Sequence, residues 1–262
     1  MNKLVKALIS AAIALLVVAV VVAAVGTWFV RRPWSKVNGT MTVAGLEAPV
    51  EVIRDDWGVP HIYAETEHDL FFAQGYVHAQ DRLWQMEFNR RVASGTLSAA
   101  LGDATLETDL FLRTIGLRRA AEKDWELLDE ETRAMIEAYS DGVSAYVDLH
   151  RDRLPLEFTI LGVNPEPWTP IDTVAWGKVM SLSLCGNYEM ELLRALMVAE
   201  LGPEAAQQLL PPYADGAPLI VPAEAHNYAE LRGAASLLDD PLAAILGGDR
   251  SAWGSNNWVV HG

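Results

Sequence analysis

The sequence predicts a mostly helical α+β chain with one β-hairpin close to its N-terminal end. Two observations carry this prediction. From Thr66 to Leu201, apolar side chains recur at the spacing of one helix face in several successive stretches. Before them, between Asn38 and Ala64, apolar and polar residues alternate around the turn-forming run Asp55-Asp56-Trp57-Gly58. Because the alternating pattern is confined to this short segment, we expect its strands to pair with each other as a local hairpin.

The first element is an apolar segment that is long enough to cross a membrane. Lys3 and Lys6 precede a run from Ala7 to Val30 without a charged side chain, and Arg31 and Arg32 follow it. These 24 residues would extend about 36 Å as a helix, against a hydrocarbon core of about 30 Å. The run has no polar face, which argues against a buried core helix. We expect a membrane anchor with the rest of the chain on the extracytoplasmic side.

A cleaved secretory signal is the alternative for the same segment. Ala24-Val25-Gly26 comes close to the small-residue pattern of a cleavage site, but the apolar run continues beyond it through Trp28 and Phe29. Basic residues flank both ends, so the positive-inside rule gives only a weak orientation. In this alternative the protein is secreted.

The elements after the hairpin are predicted as helices separated by glycine and proline signals. Thr169-Pro170-Ile171-Asp172 has a typical helix start, with threonine as the N-cap and proline at the first position. Asp129-Glu130-Glu131 is interpreted as another N-terminal cap, favoured by the helix dipole. The predicted helices cover residues 68–92, 109–127, 129–150, 170–184 and 189–201, with a loop at 162–170 and a stop at Gly202-Pro203.

Composition changes after Pro211-Pro212. Residues 213–252 mix Pro, Gly, Ala and Asp with little periodicity, which predicts a spacer with one short helix near 230–238. A strand pattern then begins at Trp253, and the sequence stops at Gly262. We expect the sequence to be cut short there, since a stable domain should not end on the first strand of a new element.

Composition also excludes some functions. The net charge of −15 and the absence of a basic stripe argue against nucleic-acid binding. Cys185 is the single cysteine, so no internal disulfide can form, and it is interpreted as a small buried hydrophobe. His61, His68 and His78 form no HExxH pair, so they do not indicate a zinc hydrolase and are expected to make structural hydrogen bonds.

Two motifs of the sequence carry a resemblance to a known family. The first is GVPHIYAETEHDLFFAQGYVHAQDRLWQMEFNRRVASG, from Gly58 to Gly95, and the second is GSNNWVV, from Gly254 to Val260. Both resemble motifs of the penicillin acylase family of N-terminal-nucleophile hydrolases, and the second is similar to the site where precursors of that family cleave themselves. The segments LPLEFTILG and PEPWTPIDTVAWGKVMSLSL, between residues 154 and 184, are similar too. GSNNW alone would only be suggestive, but both motifs in this order identify the family.

The resemblance implies a fold, a domain order and an activity. The complete family fold is an αββα sandwich, to which this chain would contribute mainly helices and a hairpin. We therefore expect an anchor or signal at 1–32, an α-subunit-like region at 33–212, a spacer or propeptide at 213–254, and the start of the catalytic β subunit at 255–262. The family hydrolyses linear amides of N-acyl compounds such as β-lactams and acyl-homoserine lactones.

Ser255 is the expected nucleophile, and the bond between Gly254 and Ser255 is the expected processing site. A serine hydroxyl needs a base, and the α-amine of an N-terminal serine can serve, since its pKa is about 7.7–8.0. In an intact chain the same nitrogen is an amide without basicity. Glycine before the serine lets the hydroxyl approach the preceding carbonyl, as an N-to-O acyl shift requires. Without the upstream motif, these residues would equally suggest a simple turn that opens a strand.

The resemblance extends to less specific positions. Met180 and Leu184 match the helix that carries acyl-pocket residues, although core packing would explain them equally well. A structural Ca²⁺ is implied, with Glu191 as the first choice of ligand and Glu189 as the alternative. Carboxylate oxygen suits calcium, but one carboxylate does not make a site, and both glutamates would also suit a solvated helix surface.

Two classes of function follow. In the first, the chain is the front part of an acylase precursor that needs the rest of its own β subunit and acts on a small N-acyl amide; this piece alone should be inactive. In the second, it is a membrane-anchored, non-catalytic binding or structural protein that keeps the family fold. A coding sequence that continues past Gly262 would favour the enzyme, and a stop codon there would favour the second class.

Overall fold

The computed structural model of the protein describes residues 3–184 and 188–209. Within these ranges the regular elements are helices and one two-stranded antiparallel sheet, joined by loops. Cys185, the predicted spacer with its short helix, and the predicted strand after Trp253 lie outside the described residues.

The described elements follow the predicted order. The strands are β1 (Glu51–Arg54) and β2 (Pro60–Tyr63). The helices are α1 (Lys3–Arg31), α2 (Glu67–Ser94), α3 (Ser98–Leu101), α4 (Leu106–Ile115), α5 (Leu117–Leu127), α6 (Glu130–Leu149), α7 (Leu156–Leu161), α8 (Pro170–Leu184), α9 (Tyr188–Leu201) and α10 (Pro203–Leu209).

Helix α1 contains a stretch that is long and apolar enough to cross a membrane, Ala11–Arg31, with a mean hydropathy of 2.8. None of this stretch is buried inside the protein. This agrees with the sequence, which argues against a buried core helix. By length and composition the helix fits either an anchor or a signal sequence.

The hairpin forms where alternation predicts it. Glu51 pairs with Tyr63 and Arg54 with Pro60, which fixes the register of β1 against β2. The Asp55 carboxylate closes the turn by accepting the backbone N–H groups of Trp57 and Val59, both at 2.9 Å. These hydrogen bonds hold the pKa of Asp55 below its ordinary value, against the opposing effect of burial.

Helices α2 and α6 form the centre of the fold and cross at two glycines. A methyl group built on Gly75 would overlap the backbone carbonyl oxygen of Tyr139, and one built on Gly142 would overlap that of Phe72. The two backbones can approach this closely only because both positions lack a Cβ. Gly75, which weakens the helix prediction locally, is thus a contact point between helices.

Apolar side chains pack on both halves of α2. Towards its N-terminal half, Tyr76, Leu83 and Val143 share a cluster with Trp168 and Phe158. Towards its C-terminal end, a second cluster joins α2 to α4, α5 and α8; its buried members are Val92, Ala93, Leu97, Phe111, Leu112, Leu117, Ala121, Ala175 and Val179. Helix α8 is thereby fixed to the rest of the bundle.

The structure corrects three details of the predicted elements. The single helix expected over 109–127 is two helices, because Gly116 adopts a left-handed φ of 79° and ends α4. Gly202-Pro203 ends α9 but also begins α10, since proline is well suited to a first helical position. The short helices α3 and α7 carry no sequence pattern long enough to predict them. The cap at Asp129 is confirmed, with its carboxylate accepting the Thr132 backbone N–H at 2.8 Å.

Candidate functional site

The site residues expected within the described part of the chain lie on α8 and α9. The N-terminus of α8 is held by Asp172, whose side chain is buried. Its carboxylate accepts the backbone N–H and the hydroxyl of Thr169, each at 2.8 Å, and pairs with Arg118 at 2.7 Å. Because Arg118 belongs to α5, one carboxylate both caps α8 and ties it to a neighbouring helix.

A buried ion cluster extends this connection to α2. Glu87 is 2% exposed and pairs with the guanidinium groups of Arg90 and Arg91. Arg90 also lies 3.8 Å from the Asp172 carboxylate and above the ring of Trp168, 5.5 Å from its centroid. Arg90 and Arg91 therefore both pair with carboxylates. The cluster sets where α8 begins relative to α2.

Helix α8 has one covered face and one open face near its C-terminal end. Ala175 and Val179 are buried against the bundle. Met180 and Leu184, four residues apart and therefore on one side of the helix, are 42% and 78% exposed. Core packing among residues 3–184 and 188–209 thus does not explain these two side chains.

Helix α9 follows directly and carries the glutamates expected to bind calcium. Glu191 is exposed in the second turn of this helix, whereas the Glu189 side chain lies outside the described residues. No three His, Cys, Asp or Glu side chains converge as a metal site within residues 3–184 and 188–209. Glu191 offers the oxygen donor that calcium prefers, but calcium needs six to eight such oxygens.

Gly254 and Ser255, the expected processing site and nucleophile, lie outside the described residues. Within the described part, buried charges fix the N-terminus of α8, and apolar side chains are exposed near its C-terminus. This exposed apolar face of α8 can bind and orient an apolar group.

The three histidines make local hydrogen bonds. His61 lies 3.3 Å from Asp55, His68 lies 3.2 Å from Asp69, and His78 lies 3.0 Å from the Tyr139 hydroxyl. Burial lowers the pKa of His78, and the nearby Arg82 adds to the effect. These contacts confirm the structural roles expected from the sequence.

Two buried carboxylates, Glu87 and Asp172, were not expected as part of the site. Asp172 was interpreted only as a first-turn acid, and Glu87 lies among the polar positions of α2. Their signal in the sequence is the presence of arginines on an otherwise apolar helix, since a buried arginine requires a carboxylate partner. The sequence does not reveal which carboxylate is the partner.

Comparison of the sequence with known proteins finds one matching family and several similar acylases. The sequence profile of the penicillin amidase family matches residues 49–262. The chain is 39% identical over 230 residues, 85% of its length, to penicillin acylase 2 proenzyme of Pseudomonas sp. (strain SE83). It is 35% identical over 178 residues, 68% of its length, to acyl-homoserine lactone acylase QuiP of Pseudomonas aeruginosa.

These curated relatives are much longer. The matched regions correspond to 29% of the penicillin acylase 2 proenzyme and 21% of the lactone acylase, so the chain spans less than a third of either. A solved structure of the thermostable penicillin G acylase from Alcaligenes faecalis is also similar, with a TM-score of 0.52 and 34% identity. That match covers 67% of this chain and 97% of the solved chain.

Proposed function

The chain belongs to the penicillin amidase family, and on this basis we propose that it is the front part of an acylase precursor that hydrolyses linear amide bonds of N-acyl compounds. The single observation that supports this most is the extent of the family match, which runs through Gly254 and Ser255 to residue 262. Relatives named as acylases of penicillin and of acyl-homoserine lactones support the same class of substrate.

In the proposed mechanism, the hydroxyl of Ser255 attacks the carbonyl carbon of Gly254, and the C–N bond between the two residues breaks as its nitrogen takes up the hydroxyl proton. Water then hydrolyses the resulting ester, which leaves a free carboxylate on Gly254 and Ser255 as a free N-terminus. The new α-amine then accepts the hydroxyl proton as Ser255 attacks the substrate carbonyl. The amine product leaves first, and water releases the carboxylate from the acyl-Ser255 ester. The groups that stabilise the tetrahedral intermediate belong to the remainder of the protein.

Met180 and Leu184 are proposed to contact the acyl group. Their exposure supports this role, because an apolar side chain open to solvent in this chain is free to meet a substrate or the catalytic subunit. Met180→Ala and Leu184→Ala should raise KM for substrates with large acyl groups more than for small ones. Ile160→Ala, at a comparably exposed apolar position on α7, should leave that ratio unchanged.

A structural Ca²⁺ is proposed to bind with Glu191 as one ligand and Glu189 as the alternative. The donor type of Glu191 fits calcium, and further oxygens would come from the rest of the protein. Metal analysis of the purified complete protein should find bound calcium, and Glu191→Gln should reduce its content. Unchanged calcium in this variant together with loss in Glu189→Gln would move the assignment to Glu189.

The experiment that tests the proposed function is the intact mass and N-terminal sequence of the protein made from its complete reading frame. A fragment that begins Ser255-Asn256-Asn257-Trp258 is expected. Ser255→Ala should abolish both processing and amidase activity, while Ser255→Cys should keep some processing because a thiol can make the same acyl shift. Ser251→Ala is the matched control and should process normally.

Processing that survives unchanged in Ser255→Ala would contradict this mechanism. An uncut and inactive wild-type protein would instead favour the second candidate, a membrane-anchored binding protein that keeps the family fold without turnover. The exposed apolar helix α1 is the observation that keeps this candidate open.

A further inference from the structure

A pocket lies where α1 meets the folded body of the protein. Its volume is about 330 Å³, at the lower end of the range for small-ligand sites. The lining includes Phe29 and Arg32 from the end of α1, Arg151 and Arg153 from the loop after α6, and Phe158 and Val163 from the region of α7. We refer to it as the juxtamembrane pocket. It is separate from Met180, Leu184 and Glu191.

The pocket lies at the level where lipid headgroups would meet the protein. The apolar stretch Ala11–Arg31 has 21 residues and extends about 32 Å, which matches the hydrocarbon core, so Arg31 and Arg32 fall at its edge. Arg32 lies over the ring of Trp28 and Arg31 over that of Trp34, at 5.3 and 5.6 Å from the ring centroids. Tryptophan and arginine at a helix end are typical of the membrane interface.

Three guanidinium groups give the pocket its charge. The Arg32 guanidinium donates to the backbone carbonyl oxygen of Asp152. Because a carbonyl carries no net charge, this contact does not neutralise the positive charge of Arg32. Arg151 pairs with Asp148 at 2.7 Å, and the Asp152 side chain also belongs to the lining. Arg153 borders both this pocket and a second pocket that Tyr76 and Gln80 line, and it makes no salt bridge within residues 3–184 and 188–209. The balance at the pocket is therefore positive in a chain whose net charge is −15.

The connection between α1 and the body is held by specific contacts. Besides the contact from Arg32 to Asp152, the Ser35 hydroxyl lies 3.0 Å from the Tyr146 hydroxyl and 3.2 Å from the Gln80 carbonyl oxygen. Tyr146 in turn stacks on His150 with ring centroids 4.1 Å apart. These contacts place the loop with Arg151 and Arg153 beside the end of α1.

We propose that the juxtamembrane pocket binds the phosphate group of an anionic glycerophospholipid headgroup, with Arg153 as the principal ligand and Arg32 and Arg151 beside it. Guanidinium groups bind phosphate oxygens through charge-assisted hydrogen bonds. The apolar side chains of Phe29 and Val163 suit the glycerol and upper acyl region. Free phosphate offers the same chemistry, but the position at the end of α1 favours a lipid. The inference rests on the proposed membrane anchoring and not on the acylase activity.

Native mass spectrometry of the full chain released from lipid nanodiscs tests the proposal. The nanodiscs contain phosphatidylcholine with increasing fractions of phosphatidylglycerol, and the bound lipid is identified by mass. Phosphatidylglycerol should be retained in preference to phosphatidylcholine. Arg153→Gln should weaken this retention about tenfold, the effect of losing one charge-assisted hydrogen bond. Arg153→Lys should keep most of it, and Arg151→Gln should weaken it less.

Arg119→Gln is the matched control, because Arg119 is an exposed arginine on α5 and its loss changes net charge equally. Retention that is equal in wild type, Arg153→Gln and Arg119→Gln would overturn the proposal, as would retention without preference between the two lipids. Displacement of bound lipid by excess inorganic phosphate would identify free phosphate as a competing occupant; no displacement would identify the lipid. A wild-type chain absent from the nanodiscs would show that the anchoring premise fails, whereas failed processing at Ser255 would not affect this test.

Discussion

At the scale of single residues, buried charge determines how α8 is positioned. Glu87, Arg90 and Asp172 are all buried, and together with Arg91 and Arg118 they connect α2, α5 and α8. A buried charge is tolerated only when it is paired, because transfer of an unpaired charge from water to the protein interior is strongly unfavourable. Loss of one charged side chain therefore leaves its partners in the cluster with uncompensated charge.

Glu87→Gln should destabilise the protein by about 3–5 kcal/mol, because it removes the close carboxylate partner of the buried Arg90. Arg90 would keep the Asp172 carboxylate at 3.8 Å and two neutral backbone carbonyl oxygens. The free energy of unfolding, measured by urea denaturation of the processed protein, checks this. Glu122→Gln is the control, since Glu122 pairs with Arg118 at 3.6 Å on the surface and its loss should cost less than about 1 kcal/mol. Equal changes in the free energy of unfolding for the two variants would show that the buried ion pairs contribute no more to stability than the exposed one.

At the scale of elements, the sequence predicts best where a periodic pattern is long. The hairpin and helices α2 and α6 are predicted to within a few residues from their periodic patterns, and α8 is predicted equally well from the start signal at Thr169-Pro170. The break at Gly116 is missed, since a left-handed glycine and a helical one look alike in a sequence. The exposure of Met180 and Leu184 also could not be predicted. An apolar face in a sequence does not show whether the residues that pack against it belong to the same chain.

Gly142→Ala should destabilise the protein by about 3 kcal/mol, since the new methyl group would overlap the Phe72 carbonyl oxygen and force α2 and α6 apart. Gly177→Ala in α8 is the matched control. Apart from the adjacent backbone of α8 itself, no atom of the described residues lies within 4 Å of a methyl group at that position. Alanine is also the better helix former, so a gain of about 0.5–1 kcal/mol is expected. Thermal unfolding of both variants beside the wild type is the measurement, and a neutral Gly142→Ala would contradict the close approach.

At the scale of the whole molecule, an exposed apolar helix is joined to a compact bundle. The bundle contains the family's front motif, while Ser255, the proposed nucleophile, lies outside the described residues. Motifs in the sequence identify the family and predict the nucleophile, and the sequence shows nothing of the juxtamembrane pocket. The pocket combines residues more than 100 positions apart, Arg32 and Arg151–Arg153, which only the fold brings together.

The proposed anchor leads to a fractionation experiment. The wild-type protein should remain in the membrane pellet after an alkaline carbonate wash, and deletion of residues 3–31 should release it, because about 21 apolar residues are lost from the bilayer. Recovery of a soluble wild-type protein whose N-terminus lies just after Gly26 would instead establish a cleaved signal and a secreted enzyme.

The glycine crossing of α2 and α6 also limits how this sequence can change. When an added methyl group clashes with a neighbouring side chain, a second substitution can replace that side chain with a smaller one and remove the clash. At Gly75 and Gly142 the obstacle is a backbone carbonyl, which every amino acid carries, so no second-site change at Tyr139 or Phe72 can act as a suppressor. A library randomised at these two positions and selected for folded protein should return glycine at both, whatever else is allowed to vary.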